Sequence, residues 1–151
     1  PTALRAMWAL HVTGGLKEKW LIEQTYDARE HIRVWAIKLL NESGTPSQAA
    51  LKRFVKMAKT DTAGLVQLEL ASTLQLLPHK KRWPLATALV SHEKFANGPV
   101  LPLMVWYGIN PAVPENRSEA LKLIGKCKIP KIRQFIARRL AGENGKAENK
   151  Q

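Results

Sequence analysis

The sequence predicts an all-α fold: an α–α superhelix of about nine helices, in which antiparallel helix pairs stack side by side with a right-handed twist. Three observations lead there. The first is a recurring block. It reads Leu-Arg-Ala-Met-Trp-Ala-Leu at 4–10, Ile-Arg-Val-Trp-Ala-Ile-Lys-Leu-Leu at 32–40, Val-Gln-Leu-Glu-Leu-Ala-Ser-Thr-Leu at 66–74 and Ile-Arg-Gln-Phe-Ile-Ala-Arg-Arg-Leu at 132–140, with a degenerate copy, Leu-Pro-Leu-Met-Val-Trp-Tyr-Gly-Ile, at 101–109. The starts lie roughly 28 to 35 residues apart, the period range of stacked helical pairs. The second is apolar residues at three- and four-residue spacing within the blocks. The third is the lack of persistent apolar–polar alternation and of any Asn-Gly or Asp-Gly turn joining β-branched runs.

The elements follow in order. A first helix is expected from about Thr2 to Val12, with Thr2 as N-cap and Gly14-Gly15 as the left-handed stop. Its short partner runs from Leu16 to about Gln24. Asp27 opens the third helix, which carries Ile32, Trp35, Ala36, Leu39 and Leu40 and ends at Asn41-Glu42-Ser43-Gly44. Thr45-Pro46 opens the fourth, with proline at the favoured first position. Leu51, Phe54, Val55 and Ala58 form its inner stripe, and Lys52, Arg53, Lys56 and Lys59 its outer face. Asp61 or Thr62 caps the fifth helix, and Pro78 ends it.

The sixth covers about Lys81 to His92, with Trp83-Pro84 near its start. Asn97-Gly98-Pro99 is a turn. The seventh, about Val100 to Ile109, is apolar on nearly every side, which predicts the most enclosed element. Its Pro102 falls in the first turn, where proline is tolerated. Residues 110–116 form a loop, the eighth helix spans about Ser118 to Cys127, and Pro130 opens a ninth that ends near Ala141. One helical repeat domain, 1–141, is therefore expected. A polar tail or linker, 142–151, follows it, with two glycines and no large apolar residue.

A chain of 151 residues with 45% hydrophobic content suffices for one domain with a sizeable core. No apolar run approaches the ~20 residues needed to cross a bilayer. The chain starts on Pro1, with a helix block directly behind it and nothing like a signal peptide, so it is expected to be a piece of a longer protein. Its one cysteine, Cys127, cannot make an internal disulfide. It reads as a small buried apolar residue, although Lys126 and Lys128 beside it would activate an exposed thiol. The net charge of +12 and pI near 10.2 suit an anionic partner, or a solvated surface whose counter-charges lie elsewhere in a longer protein.

Candidates for chemistry are few. His11, His31, His79 and His92 offer no i, i+4 pair for a metal, and His11 near a helix end is expected to bond a terminal carbonyl. Trp8, Trp35 and Trp106 hold similar places in their blocks and are expected in the core between repeats. Trp83 follows Lys80-Lys81-Arg82. That set suits stacking on a base or gripping an acidic peptide, while the alternative for Trp83 is a hydrophobic anchor for the sixth helix.

The C-terminal block carries Arg117, Lys122, Lys126, Lys128, Lys131, Arg133, Arg138 and Arg139 against Glu119 alone over 117–139. On the ninth helix Lys131, Arg138 and Arg139 should point outward and Ile132, Phe135, Ile136 and Leu140 inward. The candidate surface for an anionic partner is thus Lys80, Lys81, Arg82 and Trp83, together with Lys128, Lys131, Arg138 and Arg139. No Gly-rich phosphate loop, Gly-x-Ser-x-Gly, paired carboxylates in an apolar setting or Cys-x-x-Cys-His is present. No catalytic, cofactor-binding or metal-ligating residue is assigned.

The blocks resemble HEAT repeats, with an aliphatic-Arg start, an Ala in the packed stripe, a Leu-Leu close and Asp or Asn at the turns. Residues 6–16, Ala-Met-Trp-Ala-Leu-His-Val-Thr-Gly-Gly-Leu, with His-Ile-Arg-Val-Trp-Ala-Ile-Lys-Leu-Leu at 31–40, Leu-Pro-Leu-Met-Val-Trp-Tyr-Gly-Ile at 101–109 and Lys-Ile-Pro-Lys-Ile-Arg-Gln-Phe-Ile-Ala-Arg-Arg-Leu at 128–140, carry a narrower likeness. They are similar to the middle region of large PVC-type haem-binding, membrane-bound-dehydrogenase-type proteins of planctomycetes and verrucomicrobia. The likeness covers residues 3–141.

In that family a β-propeller precedes the helical repeats and a c-type cytochrome domain follows. The resemblance implies a periplasmic or otherwise extracytoplasmic parent and a role in positioning its redox domains. The expected partners are then a protein or the neighbouring domains, with no cofactor in this chain. The alternative is a basic HEAT-like nucleic-acid-binding module similar to helical-repeat alkylpurine DNA glycosylases. Those enzymes need an Asp facing an aromatic groove, and Asp27 and Asp61 both sit at expected caps instead.

Overall fold

The computed structural model describes residues 2–148, with side chains over 4–142. Nine α-helices occur among the described residues, and no strand. They are α1 (Thr2–Val12), α2 (Glu18–Gln24), α3 (Glu30–Asn41), α4 (Gln48–Thr60), α5 (Gly64–Thr73), α6 (Trp83–Val90), α7 (Leu101–Ile109), α8 (Arg117–Lys126) and α9 (Pro130–Glu148). Short 3-10 turns cover Leu74–Leu76, His79–Lys81 and Asn110–Ala112. The helices pack in two rows. In one, α1 packs on α3, α3 on α5, α5 on α7 and α7 on α9; in the other, α4 packs on α6 and α6 on α8. Between the rows lies an apolar core that includes Ile37, Phe54, Met57, Leu70, Leu89, Ile109, Leu123 and Ile132.

Local chemistry sets the boundaries, and it moves several of them from where the sequence suggests. Gly14 and Gly44 adopt positive φ (69° and 103°) and stop α1 and α3 as left-handed residues that need no Cβ. The expected cap at Thr2 concerns a side chain outside the described residues. Pro46 does not open α4. Ser47 does, with its hydroxyl accepting from the Ala50 amide at 3.2 Å and donating to Glu18.

Asp27 and Asp61 are not caps of α3 and α5. Each accepts the backbone amide two residues on, Arg29 at 2.8 Å and Ala63 at 3.0 Å, and so builds the turn that precedes the helix. Six residues past each aspartate, a helix side chain donates back to its carbonyl: Arg33 to Asp27 O at 2.8 Å and Gln67 to Asp61 O at 2.7 Å. One turn design is therefore used twice.

Three further expectations change. The eight-residue α6 is the most enclosed helix, with Trp83, Leu85, Ala86, Ala88, Leu89 and Val90 buried. In contrast, α7 leaves Tyr107 61% exposed, although α7 too is flanked within its row, by α5 and α9. The last helix does not stop near Ala141 but continues to Glu148. An established helix propagates readily through Ala, Glu and Lys, which offsets the ~1 kcal/mol that each of Gly142 and Gly145 costs relative to alanine. Residues 149–151 of the expected tail lie outside the described residues.

The tryptophans of the blocks are not central core either. Trp8 is 51% exposed and meets Trp35 edge-on at 5.6 Å, and Trp106 leans on Phe135 at 5.3 Å. These rings seal neighbours of one row at its surface.

Candidate functional site

The side chains singled out in the sequence divide by direction. The 3-10 turn His79–Lys81 begins where Pro78, which cannot continue a helix, ends the preceding segment; the Lys81 amide donates to Pro78 O at 2.8 Å. Beyond it, Arg82 and Trp83 turn inward. Arg82 is 7% exposed and donates to three carbonyls: Leu77 O at 2.8 Å, Gly108 O at 2.6 Å and Gln75 O at 3.4 Å. Burial pulls its guanidinium pKa below the usual value, opposed by Glu115.

Trp83 is 3% exposed and fills the core at the start of α6, which is the anchoring role. Neither residue can therefore face a partner. Fixing these two inward leaves Lys80 and Lys81 outward and exposed.

The two lysines overhang a groove between α4 and α6 of about 420 Å³. From α4 come Gln48, Leu51, Lys52 and Val55, which share one face because they are spaced three and four apart. From α6 come Pro84 and Leu85. The floor is apolar and the rim is cationic, with Lys52, Lys80 and Lys81. Among the described residues, lysine ion pairs form at Lys38 with Glu69, Lys122 with Glu119 and Lys128 with Glu93, and none forms at the three rim lysines. Of the expected inner stripe of α4, Phe54 and Ala58 are fully buried, while Leu51 and Val55 remain half-buried at the groove. The volume falls at the small end of ligand-site sizes, ~300–1,000 Å³.

The second half of the candidate surface lies elsewhere. Lys128 sits past the opposite end of α6, where its amide donates to Val90 O at 2.9 Å, and its ammonium reaches Glu93 at 3.4 Å. An eight-residue helix spans ~12 Å, so Lys128 does not join the groove. On α9, Lys131, Arg138 and Arg139 are exposed, while Ile132, Ile136 and Leu140 are buried, as the spacing predicts; Phe135 is half-buried against Trp106.

A polar cleft near the start of α3 holds more charge but satisfies it internally. Arg33 forks onto Asp61, and Arg53 donates to Thr25 Oγ1 and Thr25 O, both at 2.7 Å, while stacking 3.5 Å over Tyr26. Arg53, expected on the outer face of α4, thus ties down the end of α2. The Arg29 side chain, followed by its amide, holds the Asp27 carboxyl down to about 2. The sequence signal for this cleft was an Asp with an Arg or Gln six positions on, visible twice.

Among the described residues His11 bonds no terminal carbonyl; its Nε2 reaches Glu42 at 3.1 Å. Cys127 is buried, its thiol pKa raised by burial, and it donates to Ile129 O. Among the described residues no three His, Cys, Asp or Glu side chains gather as metal ligands would, and no helix is long and apolar enough to cross a membrane. No protein-family model matches the chain, and neither a curated protein nor a solved structure does.

Proposed function

We propose that this chain is a non-catalytic helical-repeat scaffold, a protein-interaction domain belonging to a larger extracytoplasmic haem-binding, dehydrogenase-like protein. Its helix pairs form a superhelix whose surface positions neighbouring domains or a partner. The observation that carries the reading is the turn built at Asp27 with Arg33 and built again at Asp61 with Gln67, joined by Arg33 reaching forward to Asp61. A turn that recurs and is tied to its own copy supports stacked repeats, in which each unit contacts its neighbours. The strings at 6–16, 31–40, 101–109 and 128–140 support the parent family.

The test has two arms. The isolated chain, given a sugar or alcohol and an artificial electron acceptor, is expected to show no turnover, and robust turnover refutes the reading. The parent reading frame is expected to carry a Cys-x-x-Cys-His downstream.

A second reading, a basic helical module that binds nucleic acid, draws on the net charge of +12 and on exposed Lys131, Arg133 and Arg138 along α9. It predicts affinity for duplex DNA that falls with salt at a log–log slope of several units. Absence of binding at low salt removes it.

A further inference from the structure

The groove between α4 and α6 has a chemistry more specific than a generally basic surface, and we infer that it docks an acidic amphipathic helix of a partner protein. The inference rests on the interaction-domain reading above and names the partner class for it. Leu51 and Val55 lie one turn apart on α4 and face Pro84 and Leu85 of α6 across a furrow that is apolar at its base. A furrow between two helices is filled by a third helix through apolar residues at three- and four-residue spacing. Left open, this base keeps the half-buried aliphatic surface of Leu51 and Val55 in water.

The rim sets the sign of the occupant. Lys52, Lys80 and Lys81 stand around the opening, exposed and without an ion pair among the described residues. Carboxylates flanking an apolar stripe would meet all three. Their mutual repulsion, weakened but not abolished by solvent, falls when such a partner binds.

Two other occupants fit less well. A nucleic-acid backbone would satisfy the lysines but leave the half-buried Leu51 and Val55 uncovered. The chain's own segment 143–151 carries no large apolar residue to seat in the base.

The test uses the full chain and a fluorescein-labelled synthetic helix, with leucines at i, i+4 positions and glutamates elsewhere, read by anisotropy at 25 and 150 mM NaCl. The comparison ligands are an oligoglutamate of equal charge and a 20-base-pair DNA duplex. Saturable binding of the amphipathic helix is expected, at least tenfold tighter than oligoglutamate. It should weaken tenfold or more in Lys80→Glu/Lys81→Glu and several-fold in Val55→Gln, and stay within twofold in Lys131→Glu/Arg138→Glu. Far-ultraviolet circular dichroism of each variant checks that it is folded.

Equal affinity for oligoglutamate, no binding at 25 mM NaCl, or duplex DNA binding that depends on Lys80 and Lys81 overturns the proposed occupant. Peptide binding that survives Lys80→Glu/Lys81→Glu overturns the site but leaves an interaction domain standing. The interaction-domain reading itself fails separately, by turnover of the isolated chain.

Discussion

Arg33 of α3 grips Asp61, on the turn before α5, with two parallel hydrogen bonds: Nε to Oδ2 at 2.7 Å and Nη2 to Oδ1 at 3.0 Å. Both side chains are largely shielded, at 15% and 9% exposure. The same guanidinium donates through Nη1 to Asp27 O and Ala28 O. One side chain therefore holds its own turn and the next one together. Forked Arg–carboxylate pairs of this kind lose strength if either partner is replaced, because the other is left shielded and unpaired.

Asp61→Ala is expected to destabilise by about 3 kcal/mol, through Arg33 and through the Ala63 amide. Urea unfolding of Asp61→Ala, Arg33→Ala and the double variant reads the coupling. A double variant as destabilised as the two singles added together would show that the pair is not a unit.

Arg82 and its neighbours Lys80 and Lys81 should separate cleanly in stability. Arg82→Met leaves the carbonyls of Leu77 and Gly108 without their donor and is expected to cost about 3 kcal/mol. Lys80→Glu/Lys81→Glu should change the unfolding free energy by less than about 0.5 kcal/mol. Chemical denaturation of both variants decides the matter; equal midpoints would contradict an inward role for Arg82.

Gly108 lies where α7 passes closest to the 3-10 turn Leu74–Leu76. A Cβ there would stand 2.6 Å from Leu74 Cβ and 2.9 Å from Leu74 Cδ1. Helix propensity alone would favour alanine by about 1 kcal/mol. The overlap involves a Cβ, which cannot swing away, so crowding wins and Gly108→Ala is expected to destabilise by about 1–3 kcal/mol. A thermal melt that shifts upward instead would show that the two segments part freely.

Glu69 sits on α5 with its carboxyl pKa raised, chiefly by burial and against the pull of Lys38 at 3.8 Å. A raised carboxyl pKa means that the folded state resists the charged form. The penalty is present above the folded pKa and vanishes as the pH falls through that value towards 4.5, where the unfolded carboxyl also takes up its proton. Glu69→Gln is therefore expected to raise the melting temperature at pH 7 and to change little at pH 4. Melts at the two pH values give the comparison, and an equal gain at both would rule out the charge as the cause.

The helices are legible in the sequence because each carries its own period: the stripes Ile32–Ala36–Leu40 and Ile132–Ile136–Leu140 are buried as spaced. Boundaries are less so. Asp27 and Asp61 announce a helix start correctly in type, but an aspartate serves a turn amide as readily as a helix amide, and only backbone geometry chooses. The candidate surface is half legible. Composition marks Lys80-Lys81-Arg82-Trp83 as unusual, yet a run of like charges says nothing about direction. The carbonyls of Leu77 and Gly108 hold Arg82 inward, and they lie on segments brought together only by packing. The groove floor was hidden for a related reason: Leu51 and Val55 have the spacing of core residues, and spacing alone does not show that they line a groove beside Pro84 rather than the closed core.

The two-row packing also bears on how the protein comes apart. Most helices find their main contacts one or two elements away, so only short loops must close before contacts are rewarded, which favours rapid folding. Protection of amide protons from deuterium should then be graded along the molecule. It should peak in α5, held by α3, α4, α6 and α7, and fall off in α1, which leans mainly on α3. Opening would begin at that end and travel inward, one helix after another.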